Sequence, residues 1–82
     1  MRFQFTLRMA SRAGASVHQV LGEIEEIKSI EELVHLINEY EFILVDEIYK
    51  DNDAAGRNGN FYSVGSLIIN TNIIGTIKVH AP

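Results

Sequence analysis

Apolar and polar residues alternate strictly near the start of the chain, and this alternation is the strongest constraint on the fold. The apolar positions are Phe3, Phe5, Leu7 and Met9. Because successive side chains of a β-strand point to opposite faces, a period of two predicts a strand over residues 2–9 with one buried face. The chain has 82 residues and no cysteine, so hydrophobic burial must hold the fold together without disulfides. We therefore expect one small domain spanning residues 1–82.

A second clear signal marks the start of a helix at Ser29. The Ser29 hydroxyl can accept a hydrogen bond from a free amide of the first turn, and Glu32 can reach back, as in a capping box. The predicted helix ends near Tyr40. Its expected apolar face consists of Ile30, Leu33, Val34, Ile37 and Tyr40. Its expected outward residues are Glu31, Glu32, His35, Asn38 and Glu39.

Residues 17–27 fit two structures. Their apolar residues recur at helical spacing behind a second possible cap at Ser16, which favours a helix. Gly22 would weaken the interior of that helix by about 1 kcal/mol relative to alanine. A strand would give the first strand an immediate antiparallel partner through a turn at residues 10–16. We favour the strand, and the helix stays open as the alternative.

Three more β segments are predicted after the helix. Branched and aromatic residues over 42–49 indicate a largely buried central strand. Residues 51–60 are rich in Asn, Asp and Gly, which is typical of an exposed hairpin loop. Residues 61–69 and 73–79 predict two further strands, with bends or bulges at Gly65 and Gly75. The order ββαβββ predicts an α+β fold with a mostly antiparallel sheet and one main helix packed on one face.

Acidic residues are concentrated in the middle of the chain. All eleven lie between Glu23 and Asp53, where the only bases are Lys28 and Lys50, so this segment has a net charge of −9 and the whole chain −4. Such a surface opposes binding to nucleic acid and to anionic membranes, and it favours a basic partner. The longest apolar runs have four residues, whereas a membrane helix needs about 20, so we expect no membrane partner.

Motifs for catalysis or cofactor binding are missing from the sequence. Residues 51–56 begin like a calcium loop, but Ala55 stands where an oxygen ligand is expected, so we favour a solvated turn. His35 and Glu39 lie one helical turn apart, without the second histidine of an HExxH pair. There is no GxSxG elbow, Walker loop or GxGxxG sequence. We expect no enzymatic activity, no metal and no cofactor.

The charge pattern predicts a binding function. We expect a small acidic cytoplasmic protein that inhibits or regulates a partner protein by blocking a basic, nucleic-acid-binding site, as phage-encoded inhibitors of host defence do. The expected contact residues are Glu31, Glu32, Glu39, Asp51 and Asp53. One alternative is a structural subunit that self-assembles through β edges. The other is a weak nucleic-acid-binding module that uses Arg2, Arg8, Arg12 and Arg57.

Overall fold

An antiparallel sheet and one α-helix make up the fold in the computed structural model, which describes residues 1–11, 14–51 and 60–80. The elements are β1 (Arg2–Ser11), β2 (Gly14–Glu23), α1 (Ile30–Glu39), β3 (Phe42–Asp51), β4 (Asn60–Asn70), a 3-10 turn (Thr71–Ile73) and β5 (Ile74–Val79). The sheet has the order β4-β3-β2-β1-β5, and each of these neighbours pairs antiparallel. The predicted α+β class, with a mostly antiparallel sheet and one helix, is confirmed.

The first hairpin settles the choice between strand and helix for residues 17–27. β1 and β2 pair at ten positions, from Arg2↔Glu23 to Ser11↔Gly14, so the strand is correct as far as Glu23. The predicted turn at residues 10–16 is too long, because the backbone ladder continues through most of it. Gly14 has a φ of 112°, a conformation that glycine adopts without a Cβ clash and that suits a tight connection.

Two bulges interrupt the sheet at the glycines that the sequence singles out. In β4, Val64 is the extra residue between two register positions on β3, and the adjacent Gly65 has a φ of 129°. In β5, Gly75 is the extra residue relative to β1. A bulge bends its strand and increases the local twist. β4 is therefore irregular near its middle and β5 near its start.

Ten buried apolar side chains form one cluster, which draws on β1, β2, β3, β4, α1 and the segment between β2 and α1. Its members are Phe3, Phe5, Leu7, Val20, Ile24, Ile27, Leu33, Ile43, Val45 and Ile69. Leu33 of α1 is fully buried in this cluster, so the helix closes the core. No polar or charged side chain is buried among the residues that the structure describes.

The buried face of α1 differs from the prediction. Leu33 is fully buried and Leu36 and Ile37 pack partly against the core, whereas Val34 and Tyr40 are half exposed. Val34 lies about 100° around the helix from Leu33, which carries it away from the core. Tyr40 is the C-cap, where the backbone leaves the helix, and its side chain is 54% exposed.

The prediction that β3 is largely buried holds for one of its faces. Ile43 and Val45 are 3% and 1% exposed, whereas Phe42 and Leu44 on the opposite face are 55% and 63% exposed. The second face of β3 has no layer packed over it in the described part of the chain, and its apolar side chains therefore meet solvent.

The two hairpins of the sheet meet at a short joint. β2 and β3 pair only at Gly22↔Glu47 and Glu23↔Asp46, whereas β3 and β4 pair at ten positions. Gly22 permits a close approach there, because a Cβ at this position would lie 3.3 Å from two side-chain atoms of Val45. The joint therefore depends on a residue without a side chain.

Candidate functional site

The first turn of α1 positions two of the predicted contact residues. Ser29 is the N-cap, and its Oγ accepts a hydrogen bond from the Glu32 amide at 3.2 Å. The Glu32 carboxylate accepts a hydrogen bond from the Lys28 amide at 3.2 Å, one residue before the position that the capping box predicts. Glu31 and Glu32 both lie in this turn, where the positive end of the helix dipole favours carboxylates.

An open groove of about 530 Å³ runs along one side of α1. Three acidic residues, all predicted contact residues, line it together with His35: Glu31, Glu32 and Glu39. The remaining lining residues are apolar or aromatic: Ile27, Leu36 and Tyr40. An apolar floor with charged groups at its margin is the usual composition of a site that receives part of another molecule. We call these seven residues the helix groove.

His35 and Glu39 fix one end of the helix groove. The two residues are four positions apart on α1, and His35 Nε2 lies 3.1 Å from Glu39 Oε2. Their side chains remain 81% and 55% exposed, so this contact is at the surface and open to a ligand. A contact of this kind contributes little to stability.

A second concavity, of about 320 Å³, contains acidic residues that the prediction did not select. Its carboxylates are those of Glu23, Glu25, Glu26 and Asp46. Asp46 accepts a hydrogen bond from the Ser63 hydroxyl at 2.6 Å. Glu23 lies 3.3 Å from Arg2 Nε. Two of the four carboxylates therefore have partners within the chain. Seven acidic residues therefore line these two concavities, which share no lining residue.

Of the other two predicted contact residues, Asp51 does not line the helix groove. Asp51 is the last residue of β3, paired with Asn60 at the start of β4, and it is exposed. Asp53 lies outside the described residues, as does most of the calcium-like sequence at residues 51–56. In the part of the chain that the structure describes, no three His, Asp or Glu side chains form a group able to hold a metal ion.

Arg2 has a structural environment that the sequence did not reveal. Its guanidinium carbon lies 4.1 Å from the centroid of the Phe61 ring, a cation–π distance. The Phe61 ring in turn meets the ring of His80 edge-on, with centroids 5.6 Å apart. Arg2 therefore connects the first strand to the β3–β4 hairpin on the face opposite the core.

The arginines of the predicted nucleic-acid-binding alternative are not seen to converge. Arg2 is held between Glu23 and Phe61, and Arg8 is exposed further along β1. Arg12 and Arg57 lie outside the described residues. The described residues thus provide one exposed arginine, which gives this alternative little support.

Sequence reasoning missed the floor of the helix groove. The predicted apolar face of the helix includes Tyr40, and Ile27 and Leu36 have no predicted role in binding. The sequence signal was the spacing of four residues between Glu32, Leu36 and Tyr40, which places them along one side of a helix.

Comparison with protein-family models, curated proteins and solved structures gives no match to this chain. Within the described residues, no helix has the length and apolar character needed to cross a membrane.

Proposed function

We propose that this chain is a small non-catalytic binding protein whose helix groove receives a basic segment of a partner protein. The observation that carries the proposal is the grouping of Glu31, Glu32 and Glu39 around an apolar floor. Leu33 packs α1 against the core, and the helix groove on the flank of α1 stays open to a partner.

The chemistry of the helix groove suits lysine and arginine side chains. Their aliphatic stems can cover Leu36 and Tyr40 while their charged ends meet the carboxylates at the margin. Complementary charge increases the rate of encounter and disfavours acidic partners. A basic amphipathic helix is the segment that fits best, because it presents apolar and charged residues on adjacent sides.

The biological role we propose is inhibition or regulation. The acidic groove and nucleic acid would compete for the same basic surface of the partner protein. Binding of this chain to that surface would therefore block the nucleic-acid site. We further propose that the protein acts in the cytoplasm, where partners that handle nucleic acid are found.

The direct test uses a synthetic amphipathic peptide with arginine on one face and leucine on the other, titrated by calorimetry. We expect binding that is lost when glutamine replaces arginine in the peptide. Raising the ionic strength from about 0.01 M to about 0.15 M shortens the Debye length from about 30 Å to about 8 Å, so affinity should fall steeply.

A charge-matched pair of variants locates the binding surface. Glu31→Lys with Glu39→Lys should weaken binding at least about tenfold, or 1.4 kcal/mol. The control is Glu25→Lys with Glu41→Lys, which changes the net charge equally at exposed positions outside the helix groove. Equal loss in the two double variants would show that only net charge matters, and the helix groove would then not be the site.

A further inference from the structure

β4 is an edge strand with an unusual composition. It is the terminal strand of the sheet, and its eleven residues, Asn60–Asn70, include no charged residue and no proline. Natural edge strands are usually protected by charge, proline, a bulge or a covering element. The bulge at Val64 and Gly65 protects the middle of β4, but residues 66–70 beyond it pair in regular register with β3.

The terminal strand at the opposite end of the sheet is better protected. β5 has six residues, and it contains both the bulge at Gly75 and the charged Lys78. It also borders a groove shared with Ile30 and Val34 of α1, so the helix lies near this edge. Residues 66–70 of β4 contain neither a bulge nor a charged residue.

We propose that residues 66–70 of β4 pair antiparallel with the same residues of a second copy, centred on Ile68. In this register Ile68 faces its own counterpart and Ser66 faces Asn70, so the contact is self-complementary about a two-fold axis. Leu44 is the direct cross-strand neighbour of Ile68 within each copy. The dimer therefore has a continuous apolar row of Leu44 and Ile68 from one copy and Ile68 and Leu44 from the other.

Charge favours a second copy at this edge over other occupants. The chain has a net charge of −4, so two copies repel wherever acidic residues meet. At residues 66–70 the approaching strands are uncharged, and Ile68 is 67% exposed. A basic or acidic peptide strand would gain no ion pair from these residues, whereas an identical strand matches them in length, polarity and register.

Sedimentation over a range of protein concentrations tests the association. We expect a monomer–dimer equilibrium that Ile68→Lys weakens at least about tenfold, since two like charges would then face each other at the two-fold axis. The control is Val17→Lys, at a β2 position of matched exposure, 64% against 67%. Circular dichroism and thermal unfolding establish that both variants fold. A wild-type chain that stays monomeric, or equal weakening by both variants, would overturn the proposal.

Cross-linking tests the register, because the chain has no cysteine of its own. Opposed residues of an antiparallel pair have Cα atoms about 4.5–5.5 Å apart, within the range that a disulfide spans. Ile68→Cys should therefore form a covalent dimer on mild oxidation much faster than Val17→Cys. Preferential cross-linking of Leu44→Cys instead would indicate face-to-face packing and contradict the edge pairing.

Salt separates this dimer from the proposed partner binding. Added salt screens the repulsion between two acidic copies, so we expect the dimer to tighten as ionic strength rises, whereas the arginine peptide should bind more weakly. Failure of either proposal therefore leaves the other testable by its own variants. A dimer that dissociates with added salt would contradict a contact made by the uncharged residues 66–70.

Discussion

The two hairpins of the sheet use the same alternation of residues but present different outer faces. The β1–β2 hairpin buries Phe3, Phe5 and Val20. Its outer face is mostly polar apart from the exposed Val17, and there Gln4 Nε2 donates a hydrogen bond to Gln19 Oε1 at 3.0 Å. The β3–β4 hairpin buries Ile43, Val45 and Ile69, but its outer face exposes Phe42, Leu44 and Ile68. The exposed apolar side chains of the second hairpin add little to the monomer's core, and grouped exposed apolar residues usually mark a contact surface.

The largest expected difference between the hairpins comes from truncating one phenylalanine in each. Phe5→Ala removes a fully buried ring and should lower the free energy of unfolding by about 3–5 kcal/mol, whereas Phe42→Ala should cost less than about 1 kcal/mol. Urea unfolding at low protein concentration measures both. If Phe5→Ala does not fold, Phe5→Leu can be measured in its place, with a smaller expected loss in the free energy of unfolding. Equal losses at positions 5 and 42 would contradict the one-sided burial.

The joint between the hairpins should be the next most sensitive position. Gly22→Ala would place a Cβ 3.3 Å from Val45 and 3.4 Å from Phe5, so we expect a loss of about 1–3 kcal/mol from overpacking. Replacing Val45 with alanine in the same chain makes room for the new methyl group. The double variant should therefore lose less than the sum of the two single losses, and simple additivity would argue against contact between the strands at this joint.

The two bulge glycines should respond differently to alanine. Gly65 has a φ of 129° with open space around its Cβ position, so Gly65→Ala should cost about 1–2 kcal/mol through backbone strain alone. Gly75 lies outside the left-handed region, and its added Cβ would meet Arg8 Nε, the movable part of a side chain, at 3.1 Å. We expect Gly75→Ala to cost less than Gly65→Ala in thermal unfolding. The reverse order would show that the space around the new Cβ, and not the backbone φ angle, determines how much stability is lost.

The smallest expected effect concerns the contact between the hairpins on the outer face. Arg2→Met keeps an apolar stem but loses the cation–π contact with Phe61 and the ion pair with Glu23, for about 1 kcal/mol in total. Arg8→Met is the control, since Arg8 is exposed. The stability difference between Arg2→Met and the wild-type chain should become smaller in high salt. Equal stability of the two variants would mean that the Phe61 contact adds nothing.

Local patterns in the sequence predicted the local structure. The alternation over residues 2–9 identified β1, the Ser29 cap identified the start of α1, and Gly65 and Gly75 marked both bulges. These features depend on neighbours within a few residues, so the sequence contains them directly.

Long-range packing was not predictable from the same patterns. The stack of Arg2 on Phe61 joins residues far apart in the chain, and no periodicity encodes it. The exposed face of β3 was missed because a run of apolar residues looks the same whether one face is covered or both. The concave shape of the helix groove was not predicted either: three of its carboxylates stand among the predicted contact residues, but the position of Tyr40 beside them depended on where the helix stops.

Pairing between β1 and β5 has a consequence for folding during synthesis. Phe3 pairs with Val79, so the two strands are translated almost a full chain apart. At about 5–20 residues per second, the ribosome takes roughly 4–15 s to make the residues between them. Through that interval Phe3 and Phe5 have no β5 partner, and an unpaired apolar strand edge of this kind favours aggregation until synthesis is complete.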